Sequence, residues 1–162
     1  MKDLDTIYIG KGLKNIFFGS TVAQVIKFIG KPDLEKTEED GDLNLFYKHL
    51  NLNFTFWSEY NNYLGCISTE RDTAVLNDCK LIGKEESEIK KFIKKTLKAK
   101  ISEDKRCIHD NGDIQSWIEI DELNITFWFL NGILYLIDWF CDWIDNDTPN
   151  WPKESEKERD RI

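Results

Sequence analysis

Two histidines and four cysteines are the side chains of this sequence best suited to bind metal or act as nucleophiles, and their spacing decides what chemistry they could do. Cys107 and His109 bring two possible ligands close together. A zinc site of the usual kind needs a further C-x-x-C pair, and Cys66, Cys79 and Cys141 do not make one. His49 falls on the inward face of an expected strand and His109 in an expected loop, neither with a G-x-S-x-G or comparable nucleophile pattern nearby. Gly10, Lys11 and Gly12, and again Gly19, Ser20 and Thr21, lack the spacing of a phosphate-binding loop. The carboxylates are scattered over expected solvent faces, so no two of them suggest a glycosidase pair. No catalytic residue, metal ligand or cofactor follows from these patterns, and the chain is not expected to be an enzyme.

Aromatic residues at outward strand positions offer a different chemistry. Phe46, Trp57, Trp117 and Trp128 fall opposite the apolar stripes of their strands, interleaved with Asn53, Thr55, Asn124 and Thr126. Large aromatics in a polar surround are the composition of a protein-binding hot spot. Asp138, Asp142, Asp145 and Asp147 alternate with Trp139, Phe140, Trp143 and Ile144. The partner-binding residues expected from sequence are therefore Phe46, Trp57, Trp117, Trp128, Asp138, Asp142, Asp145 and Asp147. Two alternatives stand beside that reading: packing of the aromatics inside the monomer, and a role of the aspartates in solubility alone.

These residues must be positioned by elements that occur twice. Residues 16–29 recur as 80–93 in one register, with Gly19 over Gly83, Lys27 over Lys91, Phe28 over Phe92 and Ile29 over Ile93. Residues 52–57 recur as 123–128, with a longer connection in the second copy. Each copy opens with a helix. In the first, Val22, Val25, Ile26 and Ile29 keep helical spacing, Thr21 and Gln24 have capping-box spacing, and Gly30 to Asp33 form a stop. In the second, Ile89, Phe92, Ile93 and Leu97 form the stripe, with Glu85, Glu86 and Glu88 at one end and Lys94, Lys95 and Lys98 at the other, as the helix dipole favours. Alternating strands follow each helix, and Asn131 with Gly132 marks a type I′ hairpin. The expected class is α+β: two tandem repeats, each a helix on an antiparallel sheet of about four strands, the sheets joined into a concave face. The expected divisions are 1–78, 79–151 and a charged, disordered tail at 152–162.

With 162 residues, 41% of them hydrophobic and 13% aromatic, the chain can form a real core, burying roughly 70% of its unfolded surface. Its net charge of −8 argues against nucleic acid and favours a basic protein partner. The opening residues lack a signal sequence, no stretch is long and apolar enough to cross a membrane, and the cysteines read as free thiols. A cytoplasmic protein with no membrane partner, monomeric when free, is expected.

Gly19, Ser20 and Thr21, then Val25, the stop at Gly30 to Asp33 and the following strands resemble the helix-plus-sheet repeat of the SmpA/OmlA (BamE) family and of the beta-lactamase inhibitory protein family. That resemblance, over about residues 7–140, implies paired sheets gripping another protein. An acidic chain with such a fold is similar in kind to immunity proteins of contact-dependent growth inhibition and other polymorphic toxin systems. The function this implies is an antitoxin that occludes a cognate basic toxin domain, in particular a nuclease, by stoichiometric binding. The alternatives are an inhibitor or assembly adaptor with a host partner, and a small hydrolase.

Overall fold

A computed structural model describes residues 3–153. Two helices are placed by the same device. The Thr21 hydroxyl accepts from the Gln24 N–H at 3.2 Å while the Gln24 side chain accepts from the Thr21 N–H at 2.8 Å, which starts α1 (Val22–Ile29). Gly30, at φ 115°, ends it. In the second copy Glu85 and Glu88 form the same reciprocal box in front of α2 (Glu86–Phe92), which continues through a π turn, Ile93–Leu97. Each helix start is tied to the first residues of a later strand: Gly19 and Ser20 exchange backbone hydrogen bonds with Leu64, and Gly83 and Lys84 with Leu134.

Strands supply the rest. In chain order they are β1 (Thr6–Tyr8), β2 (Gly12–Leu13), β3 (Ile16–Phe17), β4 (Leu34–Thr37), β5 (Leu43–Tyr47), β6 (Leu52–Trp57), β7 (Tyr63–Thr69), β8 (Val75–Leu76), β9 (Cys79–Lys80), β10 (Glu103–Ile108), β11 (Ile114–Ile120), β12 (Ile125–Leu130), β13 (Ile133–Phe140), β14 (Asp142–Asp145) and β15 (Thr148–Asn150). Eight form one antiparallel sheet in the order β10-β11-β12-β13-β7-β6-β5-β4. A five-stranded sheet runs β3-β2-β1-β8-β9, and β14 and β15 form a separate hairpin.

The expected α+β class of two helix-on-sheet repeats with a concave face is thereby corrected. Among the described residues the molecule is mostly β, with two α-helices and large multi-strand sheets. The physical reason is long-range pairing that local periodicity does not encode. Segment 6–17 joins 75–80 through the parallel β1–β8 pair, and β13 pairs directly with β7, so the eight strands are continuous. Of the expected tail at 152–162, residues 154–162 lie outside the described residues. His49 also departs from expectation. It sits in a 3-10 turn (Lys48–Leu50), exposed, with Nδ1 at 2.7 Å from Asp33 Oδ2.

Alternation assigns the two faces of the large sheet. Leu45, Tyr47, Phe54, Phe56, Leu64 and Ile67 of one half and Ile118, Ile120, Phe127, Phe129, Leu134 and Ile137 of the other are buried on one side. They share a single cluster with Val25, Ile89 and Phe92 of the helices and Ile7, Leu13, Ile16 and Leu76 of the small sheet. Each such side chain contributes about 1.5–3 kcal/mol of transfer free energy. Trp139 is fully buried there, its indole N–H donating to the Gly12 carbonyl at 3.2 Å. Among the described residues the opposite face carries no helix. The free edges are β4, whose residues are all exposed, and β10, where Asp104, Lys105 and Arg106 follow one another, and such charges discourage pairing with other chains.

Local geometry repeats across the β7–β13 seam. Asn51 (φ 52°) and Asn124 (φ 50°) each end a 3-10 turn in the left-handed region, and β-bulges follow at Thr55/Phe56 and Trp128/Phe129. Asn accepts that conformation at low cost because its short side chain bonds locally. Asn131 (φ 51°) and Gly132 (φ 79°) have the two positive angles of a type I′ turn.

Candidate functional site

On the uncovered face, one row of side chains crosses six strands in register: Phe46, Asn53, Ser68, Asp138, Thr126 and Glu119. A neighbouring row holds Trp117, Trp128 and Leu136. The indoles of Trp117 and Trp128 lie 5.3 Å apart at 31°. Between Phe46 and Leu136 the face sinks into a cleft of about 390 Å³, floored by Asn53, Ser68 and Asp138 and rimmed by Lys48, Asn51 and Glu70.

Electrostatically this floor is unfinished. Trp128 Nε1–H donates to Asp138 Oδ2 at 2.8 Å. Asp138 Oδ1 and Asn53 Oδ1 are buried with no hydrogen-bond donor at ordinary distance, while the Ser68 side chain lies close enough to Asp138 to favour its charged form. Burial pushes the Asp138 carboxyl above its ordinary value, an effect only partly offset by Ser68 and Trp128. Burial holds the Cys66 thiol well above its ordinary value and pushes Cys141 up to about 12, so both stay protonated. Among the described residues no group of three His, Cys, Asp or Glu side chains is placed to hold a metal ion, and no helix is long and apolar enough to cross a membrane.

The residues expected to bind a partner are divided by the structure. Phe46, Trp117, Trp128 and Asp138 share the open face around the cleft. Trp57 does not join them. It lies at the far end of β6, stacked on Trp143 at 5.5 Å and 19° and touching Trp151 at 6.2 Å, with its indole covering the backbone of Gly65. Asp142, Asp145 and Asp147 belong to the exposed β14–β15 hairpin. Asp145 is tied into its own turn, accepting from the Asp147 N–H at 2.9 Å. A smaller hollow of about 300 Å³ opens beside Trp57, Tyr60 and Trp143, with Asp40, Asp42 and Glu59 around it. Ser68 and Leu136 were not singled out by sequence. The signal for Ser68 is its place between buried Ile67 and Thr69 in β7, blurred by Gly65 and Cys66, which interrupt the apolar alternation.

No protein-family model and no curated protein matches the chain. Among solved structures it is similar to an extracellular protein containing a SCP domain from Bacillus anthracis, with a TM-score of 0.47 and 10% identity over 88% of this chain and 52% of that one. It is also similar to a cysteine-rich secretory protein from Staphylococcus aureus, with a TM-score of 0.45 and 11% identity over 84% of this chain and 52% of that one. The chain thus spans about half the length of the solved chains it matches.

These findings correct three expectations. One continuous eight-stranded sheet and a separate five-stranded one replace the paired helix-on-sheet repeats, and the solved structures named are SCP-domain and cysteine-rich secretory proteins, so the resemblance to beta-lactamase inhibitory or BamE-type repeats is set aside. It rested on a helix-stop motif that many helix-to-strand connections share. The immunity function, with its toxin-inhibitor, antitoxin and contact-dependent inhibition attributes, falls with it: nothing in the comparisons supports such a role, and negative charge alone does not select a toxin. The cytoplasmic placement rested on the opening residues and unpaired thiols, neither of which fixes a compartment, and one similar structure is described as extracellular.

Proposed function

We propose that this chain is a non-catalytic recognition domain whose open sheet face binds a segment of another polypeptide. One observation carries the reading: on the sheet face opposite the helices, a cleft of about 390 Å³ lies between Phe46 and Leu136. The aromatic pair Trp117 and Trp128 beside the cleft supports the same reading, since rigid indoles bury much area with little entropy loss.

Selection from a random displayed-peptide library tests the reading, with enriched peptides mapped on the domain by amide NMR. Enriched peptides that shift Ser68, Leu136 and the Trp128 indole N–H are expected, and Trp128→Phe together with Phe46→Ala should abolish the enrichment. Absence of any enriched peptide, or peptides that map only to the helices, overturns it.

A further inference from the structure

Three segments distant in sequence converge on the smaller hollow of about 300 Å³. β6 supplies Trp57, the 3-10 turn that follows it (Ser58–Tyr60) supplies Tyr60, and β14 supplies Trp143. Their ring centroids lie 5.9, 5.5 and 5.9 Å from one another. Rings in contact have planes about 3.5–4.0 Å apart, so the Trp57–Trp143 stack, at 5.5 Å and 19°, is offset and leaves part of an indole face uncovered. Tyr60 stands at 60° to one indole and 71° to the other, a wall across the stack. This corner is held in advance of any ligand: the Tyr60 hydroxyl donates to the Asp147 carbonyl at 3.0 Å, tying the turn to the hairpin, and Trp57 is braced by Trp151 at 6.2 Å.

The charge around the corner has one sign. Asp40, Asp42 and Glu59 complete the lining with Ser58, and no Lys, Arg or His among the described residues joins them. Asp42 Oδ1 accepts from the Ser58 N–H at 2.7 Å and Asp40 Oδ1 from the Asp42 N–H at 3.0 Å. Among the described residues none of the three carboxylates has an ion pair. Burial raises the pKa of the Tyr60 hydroxyl, and Glu59, Asp147 and Asp145 raise it further, as a negative field does. Aromatic faces beside unbalanced carboxylates favour a cation that sheds water readily. A primary ammonium is a strongly hydrated point charge, whereas a methylated ammonium lays its methyl groups on the rings while the ring quadrupole attracts its charge. We infer that the corner of Trp57, Tyr60 and Trp143 binds the methylated ammonium group of a free solute or a lipid headgroup, with Asp40, Asp42 and Glu59 adding attraction at longer range. The hollow is at the small end of ligand pockets, which suits a ligand of headgroup size. It shares no lining residue with the cleft, so the site stands independently of polypeptide binding.

The test is an NMR titration of the whole chain with choline, with ethanolamine, and with 3,3-dimethylbutan-1-ol, which keeps the shape of choline without its charge. Choline is expected to shift the Trp57 and Trp143 indole N–H signals saturably, and the other two compounds should each bind at least about threefold more weakly. Trp143→Leu should weaken choline binding at least about tenfold. Asp42→Asn, which keeps an oxygen for the Ser58 N–H, should weaken it about two- to threefold and reduce its salt sensitivity. Choline that fails to saturate, equal binding of choline and its neutral isostere, or shifts confined to other parts of the chain overturns the site, and the isostere comparison needs no variant to fold. Phosphatidylcholine vesicles that retain the protein and release it to free choline uphold the site with a lipid as its source; choline binding without retention on vesicles upholds it with a free solute.

Discussion

Replacing Gly65 with alanine is the sharpest test of how Trp57 is packed. A Cβ built on Gly65 falls inside the Trp57 ring, against its Cδ2, Cε2 and Cε3 atoms, so the ring or the strand must yield. Trp57 is not free to move away, because Trp143 stacks on it at 5.5 Å and Trp151 lies at 6.2 Å. Holding the ring in place overpacks the site, which costs about 1–3 kcal/mol. Swinging it out forfeits its ring contacts with Tyr60, Trp143 and Trp151, about 0.5–1.5 kcal/mol each. Both routes predict a loss of about 2 kcal/mol or more, a fall in Tm of at least about 4–8 °C for a chain of this size. Urea unfolding followed by fluorescence gives the number. The double variant Trp57→Leu with Gly65→Ala should be less destabilised than the sum of the single changes by about 1 kcal/mol or more. A Gly65→Ala protein within about 0.5 kcal/mol of wild type, or strict additivity in the double variant, would refute the reasoning and free Trp57 to serve as a surface anchor.

Three further outcomes follow from the cleft and the thiols. Asn53→Thr removes a buried oxygen that accepts nothing and puts a better strand former in its place, so stability in urea should rise by about 1 kcal/mol; a loss would mean the amide is already satisfied. Asp138 has its folded value raised above 3.8 by burial, so its favourable contribution is complete below that pH and disappears as pH climbs through the folded value. The Tm of Asp138→Asn should therefore gain on wild type from acid toward neutrality, and a constant difference would contradict the raised value. Iodoacetamide under native conditions should label exposed Cys107 first and leave buried Cys141 and high-pKa Cys66 until unfolding, as intact-mass and peptide analysis will record; early labelling of Cys66 would show that the sheet face is open there.

What the sequence discloses is governed by parity. Alternation in 43–47 and 114–120 assigns Phe46 and Trp117 to the outer face because a strand has period two. The alignment of 52–57 with 123–128 is less secure. In the structure the left-handed Asn51 matches Asn124, and the bulge at Thr55/Phe56 matches that at Trp128/Phe129, so Asn53 corresponds to Thr126 and the sequence match is displaced by an even step. An even displacement keeps every side chain on its face while changing its neighbours. Trp128 thereby sits mid-strand opposite Trp117, while Trp57 ends its strand under the C-terminal hairpin, and the two tryptophans do not occupy equivalent places. The cleft itself was beyond reach of local patterns. Its floor joins β6, β7 and β13, and that union depends on the β7–β13 seam, a pairing between residues far apart in the chain. The carboxylates 142, 145 and 147 follow Asp138 closely in sequence, yet beyond Cys141, which bridges to Gly10, they belong to another hairpin.

The seam has a directional consequence. Ser68 faces Asp138 across it, Asn53 answers to Thr126, and Phe46 to Glu119, so corresponding places on matched backbones have been filled with unlike side chains. Were the six identical in pairs, a strand-shaped guest could lie across the face either way round and lose nothing. Here one end of the row is aromatic and the other acidic, which makes the two orientations unequal in energy. A near-symmetric scaffold has become a one-way track, and a guest that settles on it presents its remaining length toward a single side of the molecule.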